Sequence, residues 1–315
     1  MRHLHLGASL YVPATRTDLD ALGNGRKYPR LRSVIFCTED GIRAGEVELA
    51  LRRLGEALPR LRTSPMLRFI RVRCPRVMER VLALPGIAAI DGFVLPKTTR
   101  RSMRDYLSLL GPDDPFQLMP TLETAEVFDA REMVSFRDLV SDDAVRPRVL
   151  AMRIGGNDLL HLLGVRRSPR RMIYDTALGP VLSMLATTFL PHGFGLTAPV
   201  FEGLAHPDVL QAEVVRDVEH GLLGKTAVHP DQIAHIEALY AVERHDLEMA
   251  DAMLAPSAPA VFRMHGVMCE EATHRRWAQT IRARAEIFGV TDEVEIPPAG
   301  SSAAFAPARS VGAAP

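Results

Sequence analysis

Short apolar runs separated by stretches with helical spacing recur along the chain. Eight of these runs are predicted as strands, at residues 4–13, 33–37, 67–73, 90–96, 116–122, 149–154, 194–200 and 222–228. Ser33–Cys37 is apolar almost throughout, which is typical of a parallel strand covered on both faces. Residues 43–62 carry apolar side chains at helical spacing, and most of the other gaps are also predicted to be helical. Eight strand–helix repeats predict an α/β fold, a closed (β/α)₈ TIM barrel.

The main alternative fold is an open, doubly wound sheet. Such a sheet would place a GxGxxG motif after the first strand, and the chain has none there. The region after the eighth strand is predicted to be helical, with one long helix over residues 229–253 and a charged amphipathic helix over residues 269–288. We therefore predict a TIM barrel with a C-terminal helical extension. The predicted divisions are a barrel at 1–255, a helical segment at 256–292 and a disordered Ala/Pro/Ser/Gly-rich tail at 293–315.

Composition excludes several classes of partner and site. Lys and Arg number 38, as do Asp and Glu, so the formal net charge is zero and no nucleic-acid partner is expected. The three cysteines lie far apart with no CxxC spacing, which argues against disulfides and zinc and fits a reducing cytoplasm. No apolar run reaches about 18 residues, so no membrane span is predicted.

Polar and charged residues follow the carboxyl ends of most of the predicted strands. In chain order they are Glu39 and Asp40, Arg73, Lys97, Glu123, Asn157 and Asp158, Glu202, and residues 225–229. In a barrel these ends form one rim, where the active site lies. Because loops are polar in general, part of this pattern needs no functional explanation.

Glu123 and Asp158 are the candidate metal ligands at this rim. Each ends a short apolar run, and we expect the two carboxylates to meet there. Two oxygen ligands with no His or Cys beside them suit Mg²⁺, which keeps several waters and takes few protein ligands. The alternative interpretation is that Glu123 begins a helix and Asp158 caps another.

Several short motifs, taken together, carry a resemblance to a known family. They are LYVPA (10–14), TEDGI (38–42), VRCP (72–75), LPKT (95–98), LET (122–124), GGNDL (155–159) and GKTAVHPDQI (224–233). With these motifs the chain resembles the HpcH/HpaI aldolase and citrate lyase superfamily, in particular its citrate lyase beta-subunit-like branch. The combination is also similar to a variant of that superfamily associated with tellurium-resistance gene clusters.

The resemblance implies a (β/α)₈ barrel, usually a trimer or hexamer, that makes or breaks a carbon–carbon bond beside a carbonyl. It implies that Glu123 and Asp158 hold Mg²⁺. It also implies that Arg73 pairs with a carboxylate of a keto acid or acyl-CoA substrate, or with the developing oxyanion. It further suggests that Glu39 orients a metal-bound water and that Lys97 is a second charge partner. A salt bridge from Lys97 to a rim carboxylate is the alternative for that residue. The remaining substrate-binding residues expected from these motifs are Gly156 and Asn157.

Three departures from the family pattern leave an alternative function open. Cys37 stands where the family has the first acid of a D-x-E-D run, and Gly7 stands in place of an arginine before the first-strand motif. Cys269 occupies the position of a C-terminal acid that works as an acid/base in some relatives. These losses favour, as the alternative, a catalytically impaired member that serves as a binding or assembly subunit. A reactive Cys37 thiol and an isomerase that uses the same enolate are further possibilities.

Overall fold

Eight parallel strands close into a barrel in chain order in this computed structural model, which describes residues 1–292. The strands are β1 Ala8–Pro13, β2 Ser33–Cys37, β3 Leu67–Arg71, β4 Gly92–Leu95, β5 Gln117–Leu122, β6 Met152–Ile154, β7 Leu196–Ala198 and β8 Leu222–Ala227. β8 pairs back to β1, with Ala8 beside Lys225, so these strands leave no open edge. The predicted (β/α)₈ fold is confirmed.

Helices surround the barrel and cover the outward-facing residues of its strands. They are α1 Leu19–Gly23, α2 Val47–Ala57, α3 Pro75–Leu82, α4 Arg100–Leu107, α5 Ala130–Val140, α6 Gly156–Leu162, α7 Gly179–Phe189, α8 Pro207–Glu219, α9 Asp231–Ala238, α10 Arg244–Leu254 and α11 Glu271–Phe288. The main core lies between these helices and the strands. None of the helices within residues 1–292 is long and apolar enough to cross a membrane.

The inside of the barrel is apolar at its amino end and polar at its carboxyl end. A buried cluster fills the amino end and includes Ile35, Phe69, Met119 and Ala151. Side chains two residues apart on a strand point to the same face, so the next inward positions on β3, β5 and β6 are Arg71, Thr121 and Arg153. The alternation along these strands therefore directs the side chains of Arg71 and Arg153 into the barrel interior near its carboxyl end.

The predicted first strand is too long. Residues Arg2–Leu6 form a 3₁₀ helix, and the strand begins only at Ala8. Gly7 separates the two with a φ of 52°, a left-handed conformation that interrupts an extended strand. Leu6 is fully buried and belongs to the interior cluster, so the 3₁₀ helix helps to close the amino end of the barrel.

One prediction for the C-terminal region is wrong, and another is displaced by two residues. The single helix predicted over residues 229–253 is two helices, α9 and α10, separated by the short strand β9, Val242–Glu243. The helix predicted over residues 269–288 is α11, which begins two residues later because Cys269 lies in the hairpin of β10, Val261–Met264, and β11, Val267–Glu270. In both cases strand pairing displaces the helix, because β9 pairs with β12, Val290–Thr291, and β11 pairs with β10. Helical spacing is a local signal and does not report such distant partners.

The C-terminal segment packs against the barrel through α10 and α11. A small apolar cluster between them includes Met249, Met253 and Ile281, and also buries Cys269. The guanidinium of Arg284 donates to the carbonyl oxygens of Tyr240 and Ala241, each at 3.2 Å. These contacts join the segment to the barrel. The predicted tail at 293–315 lies outside the described residues.

Candidate active site

A cavity of about 340 Å³ opens at the carboxyl end of the barrel strands. It is lined by residues from the strands themselves and by the loops that follow β2, β6 and β7. Glu123, Asn157 and Asp158, three of the residues that the sequence places at the rim, line this cavity. A position at the carboxyl end of the strands is where a (β/α)₈ barrel builds its active site.

Glu123 follows β5 directly and is almost fully buried, with a relative exposure of 2%. Its Oε1 accepts hydrogen bonds from the backbone N of Lys97 at 2.8 Å and from Nη2 of Arg71 at 3.1 Å. Burial raises the pKa of this carboxyl to about 7. The charge of Arg71 opposes the rise and that of Asp158 adds to it. Glu123 is therefore an acidic group whose charge depends on the cations around it.

Gly155 allows the carboxylate of Glu123 to lie where it does. A Cβ at residue 155 would be 2.1 Å from Oε2 of Glu123 and 2.5 Å from its Cβ. Gly155 begins the GGNDL run and precedes α6, which carries Asp158 in its first turn. The same short run therefore supplies one carboxylate and makes room for the other.

Lys97 connects the rim carboxylates to one another. Its Nζ lies 2.7 Å from Oε1 of Glu39, 3.0 Å from Oδ2 of Asp40 and 3.3 Å from Oδ1 of Asp158. Partial burial lowers the pKa of Lys97, but hydrogen bonds to Glu39 and Asp40 outweigh it, so the pKa is raised overall. The residue also has a φ of 46°, unusual for a side chain with a Cβ. Lys97 thus makes the rim salt bridges that the sequence left as its alternative role.

Glu39 contacts the cavity residues without lining the cavity itself. Its Oε2 lies 2.8 Å from Nη2 of Arg71 and accepts a hydrogen bond from the backbone N of Asp40 at 2.7 Å. Asp40, its neighbour, does line the cavity, and its side chain is 57% exposed. The structure therefore presents Asp40 to the cavity and uses Glu39 to hold the cations beside it.

Arg73, predicted to pair with a substrate carboxylate, does not line the cavity, and its guanidinium is bonded to backbone carbonyls. Its Nε donates to the carbonyl of Thr38 at 3.2 Å, and its Nη2 donates to those of Glu39 at 2.7 Å and Ile42 at 3.1 Å. These bonds fix the loop after β2 that carries Glu39 and Asp40. Arg73 therefore supports the site through the backbone.

Arg71 is the arginine of β3 that faces the cavity. Its Nη2 lies within 3.6 Å of carboxylate oxygens from Glu39, Asp40 and Glu123. Burial lowers its pKa, but Tyr11 and the carboxylates outweigh this effect and raise it overall. The predicted third strand ran to Arg73, which has the same alternation as Leu67, Phe69 and Arg71. Because β3 ends at Arg71, the inner wall carries Arg71 and not Arg73.

Of the remaining residues that the sequence places at the rim, some line the cavity and one points away from it. Gly156 and Asn157 line the cavity, and Nδ2 of Asn157 donates to Oε1 of Glu202 at 2.7 Å. Lys225 points away from the rim and is fully buried between Glu213 and Asp217 of α8. Cys37 also lines the cavity, and burial raises the pKa of its thiol, which disfavours the reactive thiolate.

Among the described residues, three carboxylates line the cavity, those of Asp40, Glu123 and Asp158, and the last two are the predicted metal ligands. No group of three or more His, Cys, Asp or Glu side chains within residues 1–292 is arranged to hold a metal ion. A pair of carboxylates suits Mg²⁺, which takes one or two protein ligands and fills its other positions with water or substrate oxygens. The donor set therefore fits Mg²⁺ and does not fit zinc.

Residues 1–290 match the family model described as C-C_Bond_Lyase of the TIM-Barrel fold. The chain belongs to this family. The match covers the barrel and almost all of the described C-terminal segment, and it confirms the resemblance drawn from the short motifs.

Curated relatives of this family member are (3S)-malyl-CoA thioesterases of Cereibacter sphaeroides. One, from strain KD131, is 28% identical over 261 residues, which cover 82% of this chain and 85% of that protein. Another, from strain ATCC 17025, is also 28% identical, over 262 residues with the same coverage.

Solved structures with the same fold include CitE of Mycobacterium tuberculosis in complex with magnesium, acetoacetate and coenzyme A. It superposes with a TM-score of 0.66 at 22% identity, covering 90% of this chain and 99% of that one. RipC of Yersinia pestis gives a TM-score of 0.57 at 19% identity, covering 75% and 95%. At these identities the likeness shows that the family member shares their fold.

Proposed function

We propose that the protein is a Mg²⁺-dependent carbon–carbon lyase that acts on a carboxylate-bearing keto acid or the corresponding acyl-CoA thioester. The observation that carries this proposal is the meeting of Glu123 and Asp158 at one cavity, with Arg71 beside them. Family membership supports it, as do the magnesium, acetoacetate and coenzyme A bound to the M. tuberculosis protein of the same fold.

The charge balance at the rim favours a divalent cation. Arg71 and Lys97 are the cations that contact the rim carboxylates. The carboxylates are Glu39, Asp40, Glu123 and Asp158. When all four are ionised, they outnumber Arg71 and Lys97 by two negative charges. Arg153 also lines the cavity but contacts none of these carboxylates. A Mg²⁺ ion beside Glu123 and Asp158 would offset this local excess and favour the ionised form of Glu123, whose pKa is raised by burial.

Glu123 and Asp158 would hold the ion. The hydrogen bonds from Arg71 and from the backbone N of Lys97 are both accepted by Oε1 of Glu123, which leaves Oε2 without a hydrogen-bond donor among the described residues. When bound, Mg²⁺ would polarise the substrate carbonyl and stabilise the negative charge that develops on its oxygen during cleavage.

The other residues at the cavity would bind the substrate, orient a water molecule or hold neighbouring side chains in position. Arg71 Nε is buried and has no hydrogen-bond partner among the described residues, so it is available for a substrate oxygen. Asp40 is the exposed carboxylate of the cavity, and we assign it, in place of Glu39, the orientation of a water molecule. Glu39 and Lys97 are positioning residues, because they act through Arg71, Asp40 and Asp158.

Replacement of the metal ligands tests this proposal. In Glu123→Gln and Asp158→Asn we expect Mg²⁺ affinity, measured by isothermal titration calorimetry, to fall at least tenfold and turnover to be lost. The matched control is Glu126→Gln, three residues after Glu123 and outside the cavity, which should bind Mg²⁺ normally. Unchanged Mg²⁺ binding in both ligand variants would contradict the assignment.

A panel of candidate substrates distinguishes lyase activity from thioesterase activity, and both of these from a second candidate function. β-Hydroxyacyl-CoA thioesters that carry a carboxylate on the hydroxyl-bearing carbon, and keto acids, are incubated with protein and Mg²⁺. A lyase yields a keto acid and a shorter acyl-CoA, whereas a thioesterase, the activity in the curated relatives' names, releases free coenzyme A. The second candidate is a binding subunit, favoured by the position of Cys269, which lies in the C-terminal cluster and not at the cavity. Binding without any turnover across the panel would favour that function.

A further inference from the structure

Arg153 is a second arginine in the cavity, and nothing in the proposed metal chemistry uses it. It lies on β6, faces the inside of the barrel, and has a relative exposure of 2%. Its Nη2 donates to Oγ1 of Thr226 at 2.6 Å, and its guanidinium lies 5.5 Å from the ring centroid of Tyr11. Its remaining polar contact is a weak one, from Nη1 to Sδ of Met119 at 3.9 Å.

The other buried arginines all have acceptors that compensate for their burial. Arg68 donates to the carbonyl oxygens of Gly23, Arg62 and Ala89, and Arg284 donates to two carbonyls. Arg167 pairs with the carboxylate of Glu213. None of the ion pairs found within residues 1–292 includes Arg153, and no backbone carbonyl accepts from it. A buried cation without an anion is costly, so Arg153 requires a further explanation.

The residues beside Arg153 also have unused hydrogen-bonding groups. Thr121 on β5 and Thr197 on β7 are its register partners, so the three side chains lie in one row on the inner wall. Oγ1 of Thr121 and Oγ1 of Thr197 are buried and have no hydrogen-bond partner among the described residues. Thr121 lines the same cavity as Arg153. One cation and two hydroxyl groups therefore lie together on the wall without an anion.

We infer that Arg153, with Thr121 and Tyr11 beside it, binds a second carboxylate of the substrate, at the end remote from the keto-acid group. This inference rests on the proposed function, in which the keto acid lies at Glu123 and Asp158. A planar guanidinium can pair with a carboxylate through two parallel hydrogen bonds. The cavity is at the small end of the range for ligand pockets, which suits a short keto diacid. Arg153 is thus the residue that selects diacids over monoacids.

Matched pairs of keto acids test the inference. Binding of 2-oxoglutarate and 2-oxopentanoate, which differ only in the terminal carboxylate, is measured by calorimetry with Mg²⁺ present. Oxaloacetate and 2-oxobutyrate form a second pair. We expect the wild-type protein to bind each diacid at least tenfold more tightly than its monoacid. Arg153→Met should remove this preference and change monoacid affinity less than threefold, and Arg153→Lys should keep part of it.

Controls separate a binding role from a structural one. Arg146→Met removes a guanidinium that lies over the ring of Phe194, outside the cavity, and should leave all four affinities unchanged. If Arg153→Met does not fold, as judged by circular dichroism, Arg153→Gln is measured in its place. A wild-type protein without a diacid preference, or an equal loss of monoacid and diacid binding in the variant, would overturn the inference.

A measurement without metal distinguishes failure of the proposed function from failure of the Arg153 subsite. Succinate, a diacid without a keto group, is titrated against wild-type protein and Arg153→Met in buffer with a chelator. Succinate binding that depends on Arg153, in a protein that binds no keto acid with Mg²⁺, would support the carboxylate subsite and reject the metal chemistry. Absence of any binding that depends on Arg153, with keto diacids and with succinate, would reject the subsite.

Discussion

At the scale of single residues, the candidate site depends on how closely groups approach Glu123. Its carboxylate is buried, its pKa is raised, and the contacts of Arg71 and Lys97 with Oε1 partly compensate for its burial. The space on its other side exists because residue 155 has no Cβ. The geometry of the acid is therefore set by a glycine 32 positions later in the chain.

Gly155→Ala should damage the site through this contact. Because the added Cβ would overlap Oε2 of Glu123, we expect the carboxylate to move and Mg²⁺ affinity to fall at least tenfold. The free energy of unfolding should fall by about 1–3 kcal/mol, as for other overpacked positions. Gly45→Ala is the control, because a Cβ there meets no atom within 4 Å. Calorimetry with Mg²⁺ and urea unfolding check both variants, and normal Mg²⁺ affinity in Gly155→Ala would refute the argument.

At the scale of secondary structure elements, β8 and α8 are joined by a buried charge network. Nζ of Lys225 lies 3.0 Å from Oε1 of Glu213 and 2.8 Å from Oδ2 of Asp217, and all three side chains are inaccessible to solvent. Burial raises the pKa of Asp217 to about 6, although the charge of Lys225 lowers it. Oε2 of Glu213 accepts from the backbone N of Ile173, and Oδ1 of Asp217 from the hydroxyl of Tyr174, so the network also anchors the loop before α7.

Removing Lys225 from this network should be strongly destabilising. Lys225→Met leaves Asp217 buried without a cation, whereas Glu213 keeps its ion pair with Arg167, and we expect the free energy of unfolding to fall by about 3–5 kcal/mol. Adding Asp217→Asn should recover part of this loss, because the uncompensated charge is then removed. Arg216→Met, on the exposed side of the same helix, breaks a surface pair with Glu219 and a distant contact with the ring of Tyr174, and should cost less than about 1 kcal/mol. Urea unfolding measures all three, and equal effects of Lys225→Met and Arg216→Met would contradict this account.

At the scale of the whole molecule, the two ends of the barrel differ in structure, because one end is open and the other is closed. The carboxyl end holds the cavity, and the amino end is closed by the 3₁₀ helix Arg2–Leu6 and by apolar side chains of the interior. His3 of that helix packs on Gly195, just before β7, where a Cβ would lie 2.4 Å from Cγ of the imidazole. Burial, helped by the charge of the amino terminus, lowers the pKa of His3 to about 4.

This lowered pKa predicts a pH dependence of stability. Between pH 6.5 and pH 4 the unfolded chain protonates His3 and the folded protein does not, so His3 makes the free energy of unfolding fall as the pH falls. The loss should be on the order of 2 kcal/mol over this interval and should stop below about pH 4. Urea unfolding at several pH values compares the wild-type protein with His3→Asn, which should lack this component. His161→Asn, at an exposed position, is the control and should keep it. Parallel pH profiles for wild type and His3→Asn would disprove the role of His3.

The amino-acid sequence by itself determined the barrel and the end of it that carries the site. Strand positions follow from local apolar runs: Ser33–Cys37 is reproduced residue for residue, and β5 begins one residue after the predicted start. Glu123 and Asp158 were placed at a common rim because parallel strands in a closed barrel bring their carboxyl ends together. The family match covers the same elements. These features depend on short-range patterns, which a linear sequence contains.

Only the tertiary structure decided which charged groups meet. Whether Arg71 or Arg73 faces the cavity depends on where β3 ends, and whether Lys225 faces the rim or α8 depends on the phase of β8. Lys97 contacts Glu39, 58 positions away, and Arg153 is isolated from carboxylates because its neighbours on β5 and β7 are threonines. The partners of a charge, and hence its role, come from residues distant in the chain, and no local pattern specifies them.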